Sequence, residues 1–267
     1  MKYIKTLIVD TFINKIKKNY DFFGWGMSTL THTPWGNFSN SDLGKSFSET
    51  NRILKSKVKA KEFILSQQDL LTDKDAQIDE LAWRHYIIFW SVVYAGKFSK
   101  SADINLAECG VCDGMTTFFA LSSSKSDRIK MFLYDAWEGM KAENLLKSES
   151  NNINNYDYLD VENTKRNLKD FSNRIVFNKG YIPDSFKTSV NPEKLSWLHI
   201  DLNSSIATKA ALDYFFEKVV PGGVILFDDY SHRGYEDTMK MIDNYFEGKD
   251  GILMPIPTGQ AIFFKKG

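Results

Sequence analysis

The chain has 267 residues, 43% of them hydrophobic, enough apolar surface for one α/β domain with an appendage or for two small domains. Lys plus Arg and Asp plus Glu both number 34, so no net field gathers nucleic acid, and no basic run is long enough to act as a tail. No apolar segment is long enough to span a bilayer, and Asp10 interrupts the first apolar run where a signal peptide would need it unbroken, so the expected location is cytoplasmic.

Met1 to Lys18 places Ile4, Leu7, Ile8, Phe12, Ile13 and Ile16 near helical spacing with lysines between them, the pattern of an amphipathic helix docked on the protein itself. A polar stretch from Gly24 to Thr50 follows, and the aromatic clusters Phe22-Phe23-Gly24-Trp25 and Pro34-Trp35-Gly36-Asn37-Phe38 suit a cap or a ligand contact. Asp79 to Ala95 carries enough apolar residues for a helix packed on a sheet, and His85 within it reads as structural. Residues 1–100 are therefore expected to form a helical N-terminal extension and residues 101–267 a separate α/β domain.

From Ile104 onward, strands alternate with helices. Strands are expected at Ile104 to Glu108, Lys130 to Asp135, Arg174 to Asn178, Ser196 to Asp201 and Val224 to Asp228, and helices from Met115, Ser205 and Tyr235. Such alternation predicts a mostly parallel sheet covered on both faces. Two last strands, Ile252 to Ile256 and Gln260 to Lys265, are joined by Pro257-Thr258-Gly259 with no helix between them, which makes the last strand antiparallel. Lys141 to Asp160 is rich in Asn, Ser, Lys and Glu, and is expected to be a mobile insertion at the ligand edge.

Three strand ends carry chemistry. Leu106 to Gly114 leads from a strand through Gly110 and Gly114 into a helix, so backbone can approach a ligand closely. The loop is neither Gly-x-Gly-x-x-Gly nor a Lys-Ser/Thr phosphate loop, which disfavours dinucleotides and nucleoside triphosphates. Glu108 at the strand tip suits a cationic or hydroxyl-bearing ligand. Asp135 ends the next strand, where an acid either accepts hydrogen bonds from ribose hydroxyls or caps the strand end. Asp228 and Asp229 end the apolar run that starts after Pro221-Gly222-Gly223, as a pair completed by a bound cation or as a polar turn. The only cysteines, Cys109 and Cys112, lie inside the glycine turn with no second pair to complete a zinc site, so redox and zinc roles are disfavoured.

In order along the chain, Glu-Cys-Gly-x-x-x-Gly, Asp135-Ala136-Trp137-Glu138-Gly139, His199-Ile200-Asp201-Leu202-Asn203, Pro221-Gly222-Gly223 through Asp228-Asp229-Tyr230, and Pro257-Thr258-Gly259-Gln260 resemble the macrocin O-methyltransferase family. The resemblance runs from about Leu81 to Lys265. It implies a class I, Rossmann-like methyltransferase fold with a seven-stranded sheet whose last strand is antiparallel. It also implies methyl transfer from S-adenosylmethionine to a hydroxyl of a sugar, with help from Mg²⁺ or another divalent cation. By this resemblance Glu108, Gly110 and Gly114 shape the methionine end of the cofactor site, Asp135 holds the ribose, and Asp201, Asp228 and Asp229 ligate the metal. Asn203 falls where a second acid or an amide is usual, and Tyr230-Ser231-His232-Arg233 departs from the usual glycine and aromatic.

A sugar hydroxyl is a poor acid, so transfer needs alignment, a cation to stabilise the developing alkoxide and a base. His232 or Asp201 is expected to be that base, with His199 the next candidate. The acceptor class spans antibiotic glycosides, phosphorylated or nucleotide-linked sugars and polysaccharide precursors, and a homo-oligomer is left open. The rival readings are a nucleotide-sugar oxidoreductase and a non-catalytic binding protein on the same fold.

Overall fold

The computed structural model describes residues 41–66, 78–79, 81–99, 101, 104–257 and 259–266, and the backbone alone of 20–23 and 26–29. The expected helix at 1–18 and the aromatic cluster at 34–38 lie outside the described residues. Contacts divide the chain into Met1–Lys45 and Ser46–Gly267. In the first unit, strands β1 (Tyr20–Phe23) and β2 (Gly26–Thr29) pair antiparallel.

Helix α1 (Asp42–Lys59) starts inside the stretch expected to be polar loop. The local chemistry explains this: Ser41 Oγ accepts from Gly44 N at 2.9 Å, Asp42 opens the first turn, and Lys57 and Lys59 close the last. Phe47, Leu54 and Val58 form its buried stripe. The Phe47 ring lies 5.3–5.8 Å from those of Tyr86, Phe89 and Phe119, the first two on helix α2 (Ala82–Phe98). The second unit thus contains α2 together with the sheet it covers, whereas the sequence sets the division near residue 100.

The remaining elements alternate as the sequence predicts. They are β3 (Ile104–Cys109), α3 (Met115–Ser122), β4 (Ile129–Asp135), α4 (Val161–Asn167), β5 (Ile175–Lys179), β6 (Leu195–Ile200), α5 (Ser205–Phe215), β7 (Val219–Phe227), α6 (Glu236–Phe246), β8 (Gly251–Pro255) and β9 (Ala261–Lys265). The sheet order is β5-β4-β3-β6-β7-β9-β8, and β9 alone runs against the direction of the other strands of this sheet. Strand order reverses between β3 and β6, and a ligand crevice opens beyond their carboxyl ends at such a switch point.

Alternation along each strand sorts side chains between two cores. Ala107, Phe132, Leu198, Ile225 and Phe263 pack with Leu212, Phe215, Ile242 and Phe246 of α5 and α6. On the opposite face Trp197 donates its indole N–H to Ser91 Oγ of α2 at 2.8 Å, with both groups fully buried. Glu108 pairs in register with His199, and Leu106 with Trp197, so Glu108 and His199 share that α2 face.

Two expectations need correction. Strand β7 begins at Val219, ahead of Pro221-Gly222-Gly223, because Gly222 adopts φ +77° against the Phe98 carbonyl, only 2.3 Å from where a Cβ would sit. The glycine allows an irregularity in the strand, and the register slips between Leu195 and Trp197. The insertion at 141–160 is tied down, with short 3₁₀ turns at Ala142–Asn144 and Lys147–Asn152. Buried Glu149 accepts from Leu146 N at 2.8 Å, Ser205 N at 2.8 Å and Ser205 Oγ at 2.6 Å, and Asn154 N donates to Met140 O.

Replacing Ser91 with Ala leaves a buried indole N–H with no acceptor and is expected to cost roughly 1–3 kcal/mol of stability, read as a lower midpoint in urea with an unchanged m-value.

Candidate active site

The cofactor loop is built around one carboxylate. Asp135 Oδ2 accepts from Val111 N at 2.7 Å and Cys112 N at 3.0 Å, and Oδ1 accepts from Trp137 N at 2.7 Å. Burial raises its pKa while these backbone donors oppose the rise. Cys112 and Trp137 both sit at positive φ, and the Trp137 indole donates to Cys112 O and Thr164 Oγ1, fixing the bend. Gly110 at φ +86° runs so close to β6 that an added Cβ would lie 1.7 Å from the Asp201 carbonyl oxygen. Gly114 at φ +85° caps the start of α3, where a Cβ would meet Leu168 at 2.8 Å.

This loop borders a cavity of about 240 Å³ whose wall includes Gly110, Asp135, Tyr156, Asp201, Asn203 and Arg84. Gly110, Asp135 and Asp201 are thus brought together as the sequence expects. Glu108 is not: it is 1% exposed, lies behind the loop, accepts from Thr117 Oγ1, and has its second oxygen 3.4 Å from His199 Nδ1. Its placement on the inward face of β3 is the reason, and burial pushes its carboxyl well above the usual range. Burial likewise raises both thiols, Cys109 and Cys112, well above their ordinary value.

At the ends of β6 and β7, one ligand atom from each of His199, Asp201 and Asp228 lies within 4.8 Å of the others. His199 Nε2 is 3.9 Å from Asp228 Oδ1, which also accepts from Gln260 Nε2 at 2.7 Å. Asp229 falls outside this group. Its Oδ2 accepts from Asn203 N at 2.8 Å, and burial together with the Asp201 charge raises its pKa. Of the three expected acids, Asp201 and Asp228 thus lie with His199 as a group that could hold a cation, and Asp229 is engaged through Oδ2 with the Asn203 backbone. Such a donor set fits a divalent ion, since carboxylate oxygens suit Mg²⁺ and Mn²⁺, and imidazole suits the transition metals. Both His199 nitrogens are fully buried without a hydrogen-bond partner among the described residues, an orphaned donor set facing the acids. Burial lowers the His199 pKa to about 4, so the ring is neutral and able to ligate.

Neither Arg84, in the first turn of α2, nor the tyrosines around Asn203 stand out in the sequence. The Arg84 guanidinium contacts Asp228 Oδ2 and lies 3.3 Å from Asp201 Oδ2. Tyr235 donates its hydroxyl to Asn203 Oδ1, and Asn203 Nδ2 donates to Tyr156 Oη at 3.2 Å. Burial raises the pKa of both phenols, which stay protonated as donors. Asn203 itself adopts φ +50°, which Asn tolerates better than most residues. No signal at a distance of three residues or four marks these partners; they meet only through the fold. His85, read as structural, is buried and stacks on Phe119 at 4.5 Å. His232 is exposed and does not line the cavity, its ring filling the space where Gly259 has no side chain.

A switch-point crevice, a glycine loop braced by the acid of the next strand and an antiparallel last strand define a class I methyltransferase. Residues 99–266, more than half of the chain, match the family model of macrocin O-methyltransferase (TylF), and the chain belongs to that family. It is an S-adenosylmethionine-dependent O-methyltransferase, which sets aside the oxidoreductase and the non-catalytic readings. Among solved structures it is similar to the O-methyltransferase NovP, at 16% identity over 85% of this chain and 100% of that one, with a TM-score of 0.63. It is also similar to the calicheamicin methyltransferase CalS11, at 14% identity over 81% of this chain and 91% of that one, with a TM-score of 0.51. At these identities the two structures speak for the fold. No curated protein matches the chain. Among the described residues no helix is long and apolar enough to cross a membrane.

Asp135→Asn keeps the shape of the side chain and loses acceptor strength toward two or more backbone N–H groups. It is expected to weaken S-adenosylhomocysteine binding roughly 10–100-fold by calorimetry, with a smaller loss of global stability.

Proposed function

We propose that the protein transfers the methyl group of S-adenosylmethionine to a hydroxyl of a sugar or glycosylated metabolite, with a divalent cation at the ends of β6 and β7. One observation carries the reading: Asp201 belongs both to the wall of the cofactor cavity and to the His199–Asp201–Asp228 group. The similarity to the O-methyltransferase NovP and to the calicheamicin methyltransferase CalS11 supports a hydroxyl acceptor drawn from natural-product chemistry, and a polysaccharide precursor has the same hydroxyl chemistry.

The loop residues would hold the cofactor: Gly110 would admit it at short range, Asp135 would accept from ribose hydroxyls, and Gly114 shapes the turn that leads into α3. Glu108 contributes from behind, by holding Thr117 and facing His199, rather than by touching the ligand. Asp201 and Asp228 with His199 would hold the cation, and Asp229 orients Asn203 by accepting from its backbone N–H. When bound, the cation supplies Lewis-acid stabilisation for the developing alkoxide.

The chain supplies positioning and a proton acceptor. Tyr156 lines the cavity with its oxygen already accepting from Asn203, so its own proton can be donated to an acceptor oxygen. Asp201 takes the proton of the attacking hydroxyl, because it belongs to the cavity wall and His232 does not. The attacking oxygen, methyl carbon and sulfur must fall nearly in line, and the electron pair of the broken C–S bond leaves on sulfur.

Asp201→Asn is expected to keep S-adenosylhomocysteine binding within a few-fold while turnover on a sugar acceptor falls by about 10²-fold or more. His232→Ala is expected to stay within about threefold of wild type. A chelator is expected to remove turnover and Mg²⁺ or Mn²⁺ to restore it. Unchanged activity after chelation would sink the metal part of the reading and leave methyl transfer standing.

A further inference from the structure

The cation site already contains a cation of the chain's own making. We infer that Arg84 occupies the divalent-metal site as a built-in competitor, so that a metal ion enters only as the guanidinium leaves. The inference rests on the metal-assisted reading above.

The geometry is that of an exchangeable occupant rather than a permanent ion pair. Arginine binds carboxylates best with two parallel N–H groups in a fork. Here one terminal nitrogen reaches both Asp228 Oδ2 and Asp201 Oδ2, and among the described residues the buried Nε has no acceptor. His199 is left worse off still, fully buried beside the acids with neither ring nitrogen hydrogen-bonded among the described residues. A divalent ion would use the imidazole lone pair together with the two carboxylates, which the donor-only guanidinium does not. The two occupants share the same oxygens: Asp201 and Asp228 belong to the ligand group and are also the acids that Arg84 touches.

Release requires a side-chain rotation only. The backbone of Arg84 is held by α2, whose His85, Ile88, Phe89, Ser91 and Val92 are buried against the rest of the unit. The side chain is 27% exposed and lines the cofactor cavity, so it has open space on one side. While the guanidinium is in place it neutralises acids that would otherwise repel each other, which keeps the metal-free site folded.

The apparent metal affinity is then the intrinsic one multiplied by the fraction of molecules with Arg84 withdrawn. Mn²⁺ titrations by calorimetry, without substrate, on wild type, Arg84→Gln and Arg84→Lys test this. Arg84→Gln is expected to bind Mn²⁺ about tenfold or more tightly than wild type, to have a lower Tm without metal, and to gain more in Tm when Mn²⁺ is added. Arg84→Lys, which keeps the charge on a different frame, is expected to fall between them. If Arg84→Gln does not fold alone, refolding in Mn²⁺ restores its circular dichroism; failure to do so overturns the inference, as does equal or weaker Mn²⁺ binding by the folded variant. No Mn²⁺ binding by either protein would overturn both the competition and the metal-assisted reading, whereas S-adenosylhomocysteine binding, followed in parallel without metal, reports on the methyltransferase reading separately.

Discussion

The close pass of Gly110 against the Asp201 carbonyl joins the two halves of this active site. The ends of β3 and β6 are neighbours in the sheet, and Asp201 N continues the ladder by donating to Cys109 O at 2.8 Å. A side chain at position 110 would push the loop away from β6, and the distance between methyl donor and acid would open with it. Alignment of donor, acceptor and base is thus written into backbone packing, the least adjustable part of a fold. The same pass explains why the acids can work on a ligand held by a different strand.

Inward and outward positions on β6 and β7 then decide which side chains meet. His199 and Glu108 turn toward α2 because the strands alternate, and α2 brings Arg84 to the acids. The result is a buried polar column of Thr117, Glu108, His199, Asp228 and Gln260 next to the cavity. Buried charges of this kind cost free energy unless matched, and the unmatched nitrogens of His199 show where matching is incomplete. The proposed cation would complete the matching of these nitrogens.

Much of this was legible in the sequence. Apolar strands alternating with helices gave the sheet, and the hairpin across Pro257 to Gly259 gave the antiparallel last strand. Acids at strand ends pointed to Asp135 and Asp228, because a parallel sheet gathers such ends on one edge, and the family resemblance added Asp201. What local pattern does not hold is which way a tip residue faces when it has choices. Glu108 looked like a ligand contact at the strand end and turned inward, while Asp229, one step past Asp228, spends one carboxylate oxygen on the Asn203 backbone. Arg84, Tyr156 and Tyr235 come from remote segments and carry no motif, so only tertiary packing reveals them. The stretch 141–160 looked mobile from its polarity, yet one buried carboxylate among its polar residues is enough to anchor it.

That carboxylate also sets the terms on which this enzyme could acquire new acceptors. Glu149 is bound to both the backbone and the hydroxyl of Ser205 at the start of α5, and Ser205 in turn shares a hydrogen bond with Thr238 of α6. A segment that roofs the cavity is therefore keyed to two helices by a single polar lock. Exchange of the roof between related chains would transplant as a working module only if all three residues travelled together; moved alone, it would bring a buried anion to a socket cut for something else.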